Sequence, residues 1–362
     1  MKNFPLLFVS KDLGGAGVGV PLARAARAAG YDVTIVSEGL ASAVYEAAGF
    51  SPFLRGAVDA ENEPGTIDAA AVLEQIHPAA VLVTCSNPIH WEEHFALAAN
   101  QLGIPLVIVE DFWGGSFQIT AAAQLIITLD DIGAAAIRAF RPHVPVVIAG
   151  NHAVNEAQVL TRSTALKQKR ALLKEKFGTL LFFVGGGPDY TGVTLKLLKG
   201  CLERTAIPWG LMVSFHPKWR DIIAPDGRRW REVWKEELRD LNDRIITLDE
   251  ESDDICALSD VTLSAFSTML TKAVVLGRSA ISLMTPEGAR DLKARTTFTH
   301  HPLVETGLVH EISAPRDLAP YLTAPAPDAQ KISTLLKPYD APAALTVIEA
   351  RIRAHDKQKS PK

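Results

Sequence analysis

"RIITLDEESDDICALSDVTLSAFSTMLTKAVVLGRSAISL" occupies residues 244–283. Its core is a short apolar run, VTLSAF, that ends in hydroxyl residues. A small apolar segment, MLTKAVVLG, follows, and Gly277 separates it from a second apolar run, SAISLM. Four to six apolar residues without a polar alternation fit a strand buried on both faces. The MLTKAVVLG segment fits a helix with Ser267 or Thr268 as its cap and Gly277 as its stop. Strand, Ser/Thr turn, helix and strand make one unit of a parallel sheet. Free N–H groups and the helix dipole at such a turn favour an anion, and Ser264, Ser267 and Thr268 add hydroxyl donors. An ordinary N-cap with no ligand explains the same residues equally well.

The same rhythm extends outward. PLLFVS (5–10), DVTIVS (32–37), AAVLVTCS (79–86), IPLVIVED (104–111), QLIITLD (124–130) and VPVVIAG (144–150) read as strands with helical stretches between them. The segment 152–178, HAVNEAQVLTRSTALKQKRALLKEKFG, is polar and reads as a connecting helix. TLLFFVGGG (179–187) then restarts the pattern, and WGLMVSF (209–215) and RIITLD (244–249) continue it. The reading is α/β, with two Rossmann-like domains facing across a cleft. Residues 1–151 form the first domain and 179–337 the second, and 338–362 hold a last helix and a basic tail. Ligands of open parallel sheets bind beyond the carboxyl ends of the strands, so chemistry is sought there.

Composition narrows the function. The chain has 362 residues, is 48% hydrophobic and carries a net charge of −4, which argues against a dedicated nucleic-acid binder. Cys85, Cys201 and Cys256 are too far apart for a zinc pattern or a disulfide framework. The first apolar stretch is too short for a signal peptide, and no stretch reaches the length of a membrane span. A cytoplasmic protein is expected, with at most peripheral contact at the inner face of the membrane. The stretch 228–244, RRWREVWKEELRDLNDR, reads as an amphipathic surface helix, with cleft lining as the other reading.

Several strand ends carry candidate chemistry. In VSFHPKW (213–219), Pro217 fixes the turn, and His216 and Lys218 can both donate to phosphate oxygens. In VGGGPDYTG (184–192), Gly186 and Gly187 allow close approach of backbone to a ligand, although the Gly-Lys-Ser/Thr ending of a P-loop is missing. SKDLGGAGVGV (10–20) places Val20 where a dinucleotide fingerprint needs its third glycine. Glu38 nevertheless ends the second strand, where a ribose-binding acid would sit. The favoured reading is a Gly-rich loop at the cleft, with Asp12 in it as a candidate acid or base. SNPIHWEEH (86–94) and VEDFWGG (109–115) bring Asn87, His90, Glu110, Asp111 and Trp113 to strand ends. Asp111 can act as a general base or cap the next turn. His90 and His94 do not follow a metalloprotease order, and no metal site is expected.

The stretch 244–283 resembles the corresponding segment of the GT-B superfamily. That superfamily joins nucleotide-sugar glycosyltransferases, UDP-N-acetylglucosamine 2-epimerases and CDP-glycerol transferases. His216-Pro217 resembles the His-Pro that helps bind nucleotide phosphate in several of these families. GIPLVIVEDFWG (103–114) and PVVIAGN (145–151) resemble stretches of the transferase and epimerase relatives. The resemblance implies a metal-independent glycosyltransferase with no tightly bound cofactor, acting in assembly of surface or secreted glycans. It would move a sugar from a UDP-, CMP- or similar nucleotide donor to a hydroxyl of a glycan, lipid-linked or protein acceptor. The donor would lie against Gly186, Gly187, His216, Lys218, Ser264, Ser267, Thr268 and Lys272, with Asp111 or Asp12 as base. An epimerase or hydrolase of the same fold, and a non-catalytic nucleotide-sugar binder, are the alternatives. Lys272 is the departure: many relatives carry there an acid that bonds the ribose hydroxyls, and a lysine cannot accept those bonds.

Overall fold

The computed structural model describes residues 5–56 and 67–359. The chain divides into two compact units, Met1–His152 with Lys337–Lys362, and Ala153–Leu336. Unit 1 holds seven strands, β1 (Leu6–Ser10), β2 (Val33–Ser37), β3 (Leu54–Arg55), β4 (Ala80–Thr84), β5 (Leu106–Val109), β6 (Leu125–Thr128) and β7 (Val146–Ile148). They form one parallel sheet in the order β3-β2-β1-β4-β5-β6-β7. Unit 2 holds β8 (Thr179–Gly185), β9 (Trp209–Phe215), β10 (Val261–Ser264), β11 (Ser279–Leu283) and β12 (His310–Ile312), ordered β12-β11-β10-β8-β9 and also parallel.

Burial on both faces explains the unbroken apolar strands. In β1, Leu6 and Phe8 pack towards the helices Leu13–Ala28 and Ala341–Lys359, while Leu7 and Val9 pack towards Ala69–Ile76 and Trp91–Gln101. Each large side chain taken out of water contributes about 1.5–3 kcal/mol. The helix Ala341–Lys359 belongs to unit 1, where Ala344, Leu345, Ile348 and Ile352 close the core over Leu22, Ala23 and Ala26. Its basic end, residues 360–362, lies outside the described residues.

Five local expectations change. The glycines after β1 form no loop: the helix begins at Leu13 and includes them. An added Cβ at Gly15 would lie 2.3 Å from Thr84 Oγ1, and one at Gly19 would lie 2.1 Å from Tyr45 Oη. The glycines are therefore spent on close packing of helix against sheet. The segment 152–178 is two helices, His152–Leu160 and Thr164–Phe177, and the Ser163 hydroxyl caps the second by accepting from Leu166 N at 3.3 Å. RIITLD is not a strand, since Ile245 makes only an isolated bridge to Leu211 after a 3-10 turn at Arg239–Arg244. VTLSAF leaves the sheet at Ser264. The stretch 228–244 is α-helical only over Trp230–Glu236, ahead of the 3-10 turn, and Trp234 is buried with its ring 5.0 Å from that of Phe215.

The rejoining strand at unit 1 depends on Gly150. It has φ +96°, and a Cβ there would fall 2.0 Å from the Pro338 carbonyl oxygen. Backbone cannot swing aside as a side chain can. Gly150→Ala is expected to destabilise unit 1 by about 2–4 kcal/mol, read as a lower urea midpoint with an unchanged slope.

Candidate functional site

In unit 2 the chain moves from β8 to β9 and then crosses back to β10, so the connections beside β8 leave in opposite directions. That is the switch point of the sheet, the place beyond whose carboxyl ends open parallel sheets bind ligands. Three sequence-predicted turns lie side by side there: 185–187 after β8, 216–218 after β9 and 264–268 after β10. Gly186 N donates to Thr191 Oγ1 at 3.0 Å, and a Cβ on Gly186 would lie 1.9 Å from Tyr190 Oη. Gly187 caps the helix Pro188–Leu202. His216 N donates to the Gly185 carbonyl at 3.1 Å, which ties the second turn to the first. His216 Nδ1 accepts from Lys218 N at 3.2 Å, so a neutral ring carries its proton on Nε2.

The hydroxyls divide by role. Ser264 is buried and donates to the Val184 carbonyl at 2.8 Å, joining β10 to β8. Ser267 caps the helix Thr268–Val275, its Oγ accepting from Met269 N at 3.2 Å. Thr268 opens that helix and is exposed. Lys272 is only 6% exposed, and its ammonium lies 2.6 Å from Asp253 Oδ1 and 2.8 Å from Glu156 Oε2. Burial opposes its charge, but the two carboxylates outweigh burial and raise its pKa. Its charge is thus already compensated inside unit 2.

Two residues that the sequence reading missed brace these turns. His301 is buried, its Nδ1 accepts from Leu303 N at 3.3 Å, and it hydrogen-bonds the Ser267 backbone. Burial pushes its imidazole down to about 4, against that hydrogen bond, so it stays neutral at ordinary pH. Arg295 pairs with Asp291 at 2.5 Å and lies 5.8 Å from the Phe266 ring, next to the Gly187 turn. The His-His-Pro at 300–302 was the only local signal for His301; Arg295 had none.

Unit 1 has its switch point between β1 and β4, and carboxyls gather beyond it. Asp12 follows β1, and its Oδ2 accepts from Asn87 N at 3.0 Å. Asp111 follows β5, and Gly14 gives it room: a Cβ there would lie 2.0 Å from Asp111 Oδ2. Burial holds the Asp111 carboxyl well above the usual range, its own backbone opposes this, and Asp12, Glu110 and Glu92 push it further up. The direction of that shift favours the protonated carboxyl, which donates rather than accepts.

Glu110 and Glu92 sit with it. Glu110 accepts from Ser116 N at 3.0 Å and from Thr128 Oγ1 at 2.7 Å, and burial pushes it up to about 7. Glu92 is 0% exposed, and burial also pushes it up to about 7. Glu38 is bonded to His90 Nδ1 at 2.9 Å, with Lys11 Nζ 3.9 Å away. Trp113 is buried and donates its Nε1 proton to Asp130 at 2.9 Å, a packing role. Among the described residues no group of three His, Cys, Asp or Glu has metal-holding geometry. No helix is long and apolar enough to cross a membrane among the described residues.

No family model and no curated protein matches the chain. Solved structures do. Staphylococcus aureus MnaA with UDP is 14% identical, with 96% of this chain and 95% of that one covered at a TM-score of 0.66. UDP-GlcNAc 2-epimerase from Neisseria meningitidis with UDP-GlcNAc is 12% identical, with 97% and 100% covered at 0.63. Acinetobacter baumannii MurG is 15% identical, with 96% and 91% covered at 0.51. The likeness spans both units: the chain has the GT-B fold of two Rossmann-like domains.

Raised carboxyl pKa values have a thermodynamic signature. The unfolded chain releases the Glu92 proton near the ordinary glutamate value of 4.5, and the folded chain near 7. The stability cost is absent below the unfolded value, grows as pH rises between the two, and is complete above 7. Glu92→Gln is expected to flatten the fall of stability between about pH 5 and 7.5, by on the order of 1–3 kcal/mol. Urea unfolding across that range checks it.

Proposed function

We propose that this chain epimerises the sugar of a UDP-sugar, with UDP-GlcNAc as the first substrate to try. The observation that carries the reading is the gathering of Asp12, Glu92, Glu110 and Asp111 beyond the switch point of unit 1. Inverting carbon 2 by proton transfer needs one group to take its proton as the C1–O bond to UDP breaks and a C1–C2 double bond forms, and another to return a proton to the opposite face as UDP adds back to C1. Burial, with Asp12, Glu110 and Glu92 nearby, pushes the Asp111 carboxyl towards its protonated form, which suits the group that returns the proton. Transfer to an acceptor hydroxyl needs one base and leaves the remaining buried carboxyls without a task. The structural relatives that hold UDP and UDP-GlcNAc support the same substrate class.

In this reading unit 2 binds the diphosphate. His216 Nε2–H, Lys218, the N–H groups and hydroxyls at Ser267 and Thr268, and the backbone of Gly186 and Gly187 are its donors. Ser264 contributes by fixing the turn. Lys272 is left out of the set, since reaching a phosphate would strip Asp253 and Glu156 of their partner. Asp111 serves as acid, and Asp12 is its proton-accepting counterpart. A glycosyltransferase is the second reading, supported by the resemblance around His216-Pro217.

Donor alone separates the two. With UDP-GlcNAc in heavy water and no acceptor, deuterium is expected at carbon 2 together with the inverted sugar, followed by proton NMR. Turnover that appears only when an acceptor is added would overturn epimerisation in favour of transfer. His216→Ala is expected to lower turnover by about 100-fold, the size of one lost donor to developing charge.

A further inference from the structure

The amino edge of the second sheet carries charge that the proposed reaction does not use. Asp260 precedes β10 and Arg278 precedes β11, so the register Val261↔Ser279 sets them side by side. The helix Thr164–Phe177 brings Arg170 and Lys174 to the same place, one turn apart. Asp260 is fully engaged: Oδ1 accepts from Arg170 and, at 2.9 Å, from Lys174 Nζ, while Oδ2 accepts from Leu180 N at 3.0 Å. The Arg278 guanidinium has no hydrogen-bond acceptor among the described residues, and the Nε atoms of Arg170 and Arg278 are both buried without one. Arg278 is half-buried, and Arg170 faces it as a like charge.

A surface arginine without a partner turns to water at little cost. A buried guanidinium donor without a partner is expensive, and such orphans mark a missing ligand or water. Three cations on one carboxylate leave two positive charges. A carboxylate would neutralise one of these; a phosphate dianion neutralises both and offers tetrahedral oxygens to two guanidinium forks and an ammonium.

We propose that Arg170, Lys174 and Arg278 form a binding site for a phosphate dianion, at the edge of the second sheet opposite the turns 185–187, 216–218 and 264–268. A free phosphate and the head group of phosphatidic acid share this chemistry.

Inorganic phosphate, titrated against chloride at constant ionic strength, is the first probe. Thermal unfolding of the wild-type chain is expected to rise with phosphate, and Arg278→Gln to weaken that response by about tenfold. Without phosphate the variant is expected to be at least as stable as wild type, because burial and the like charge of Arg170 outweigh the attraction of Asp260 for Arg278. Thr268→Val, at the proposed diphosphate turn, is expected to keep the phosphate response. Binding to phosphatidate vesicles that Arg278→Gln abolishes, with no response to free phosphate, would assign the site to the lipid source. Equal phosphate responses in wild type and Arg278→Gln, loss of the response in Thr268→Val instead, or no binding of either probe would overturn the site.

Discussion

The helix Leu13–Ala28 lies against its sheet at a distance that only glycine permits. A methyl at Gly14, Gly15 or Gly19 would strike Asp111, Thr84 or Tyr45 within 2.0–2.3 Å. Gly14 brings the helix onto Asp111, and burial is the largest cause of the raised pKa values of Asp111, Glu92 and Glu110. The upward shift of these carboxyls is therefore a packing property first and an electrostatic one second. Only afterwards do the neighbouring carboxyls repel one another.

Unit 2 handles charge in the opposite way. Its turns at 185–187, 216–218 and 264–268 present donors at a sheet edge, and its one buried lysine is balanced by two carboxylates. His301, neutral and buried, holds the Ser267 backbone from behind. Such support fixes donors before a ligand arrives, so less ordering is left for binding to cost.

The fold was largely legible because both sheets are buried on two faces. That constraint writes continuous apolar runs such as LLFVS and AVLVT into the sequence, and short helical stretches between them imply parallel pairing. Errors came where one sequence pattern serves two structures. Glycines after a strand look alike whether they form a loop or let a helix pack closely, and the difference lies in Thr84 and Tyr45, far along the chain. RIITLD has the composition of a strand, yet it follows a 3-10 turn and meets β9 at a single bridge. The three unit 2 turns were readable because each follows its strand directly. His301 and Arg295 were not, since they reach those turns only through tertiary contact. The upward shift of the Asp111 carboxyl was invisible for the same reason: a pKa depends on neighbours, and the sequence names them without placing them.

Unit 1 is written in two pieces, and the second piece follows the whole of unit 2. During synthesis, then, the helix that covers Leu22, Ala23 and Ala26 leaves the ribosome only after residues 153–336 have emerged. Unit 2 is continuous and can fold while unit 1 still shows an apolar face to solvent. The order of domain completion is the reverse of the order in which the domains begin. The nascent chain passes through a stage in which its first-made sheet still has an apolar face uncovered.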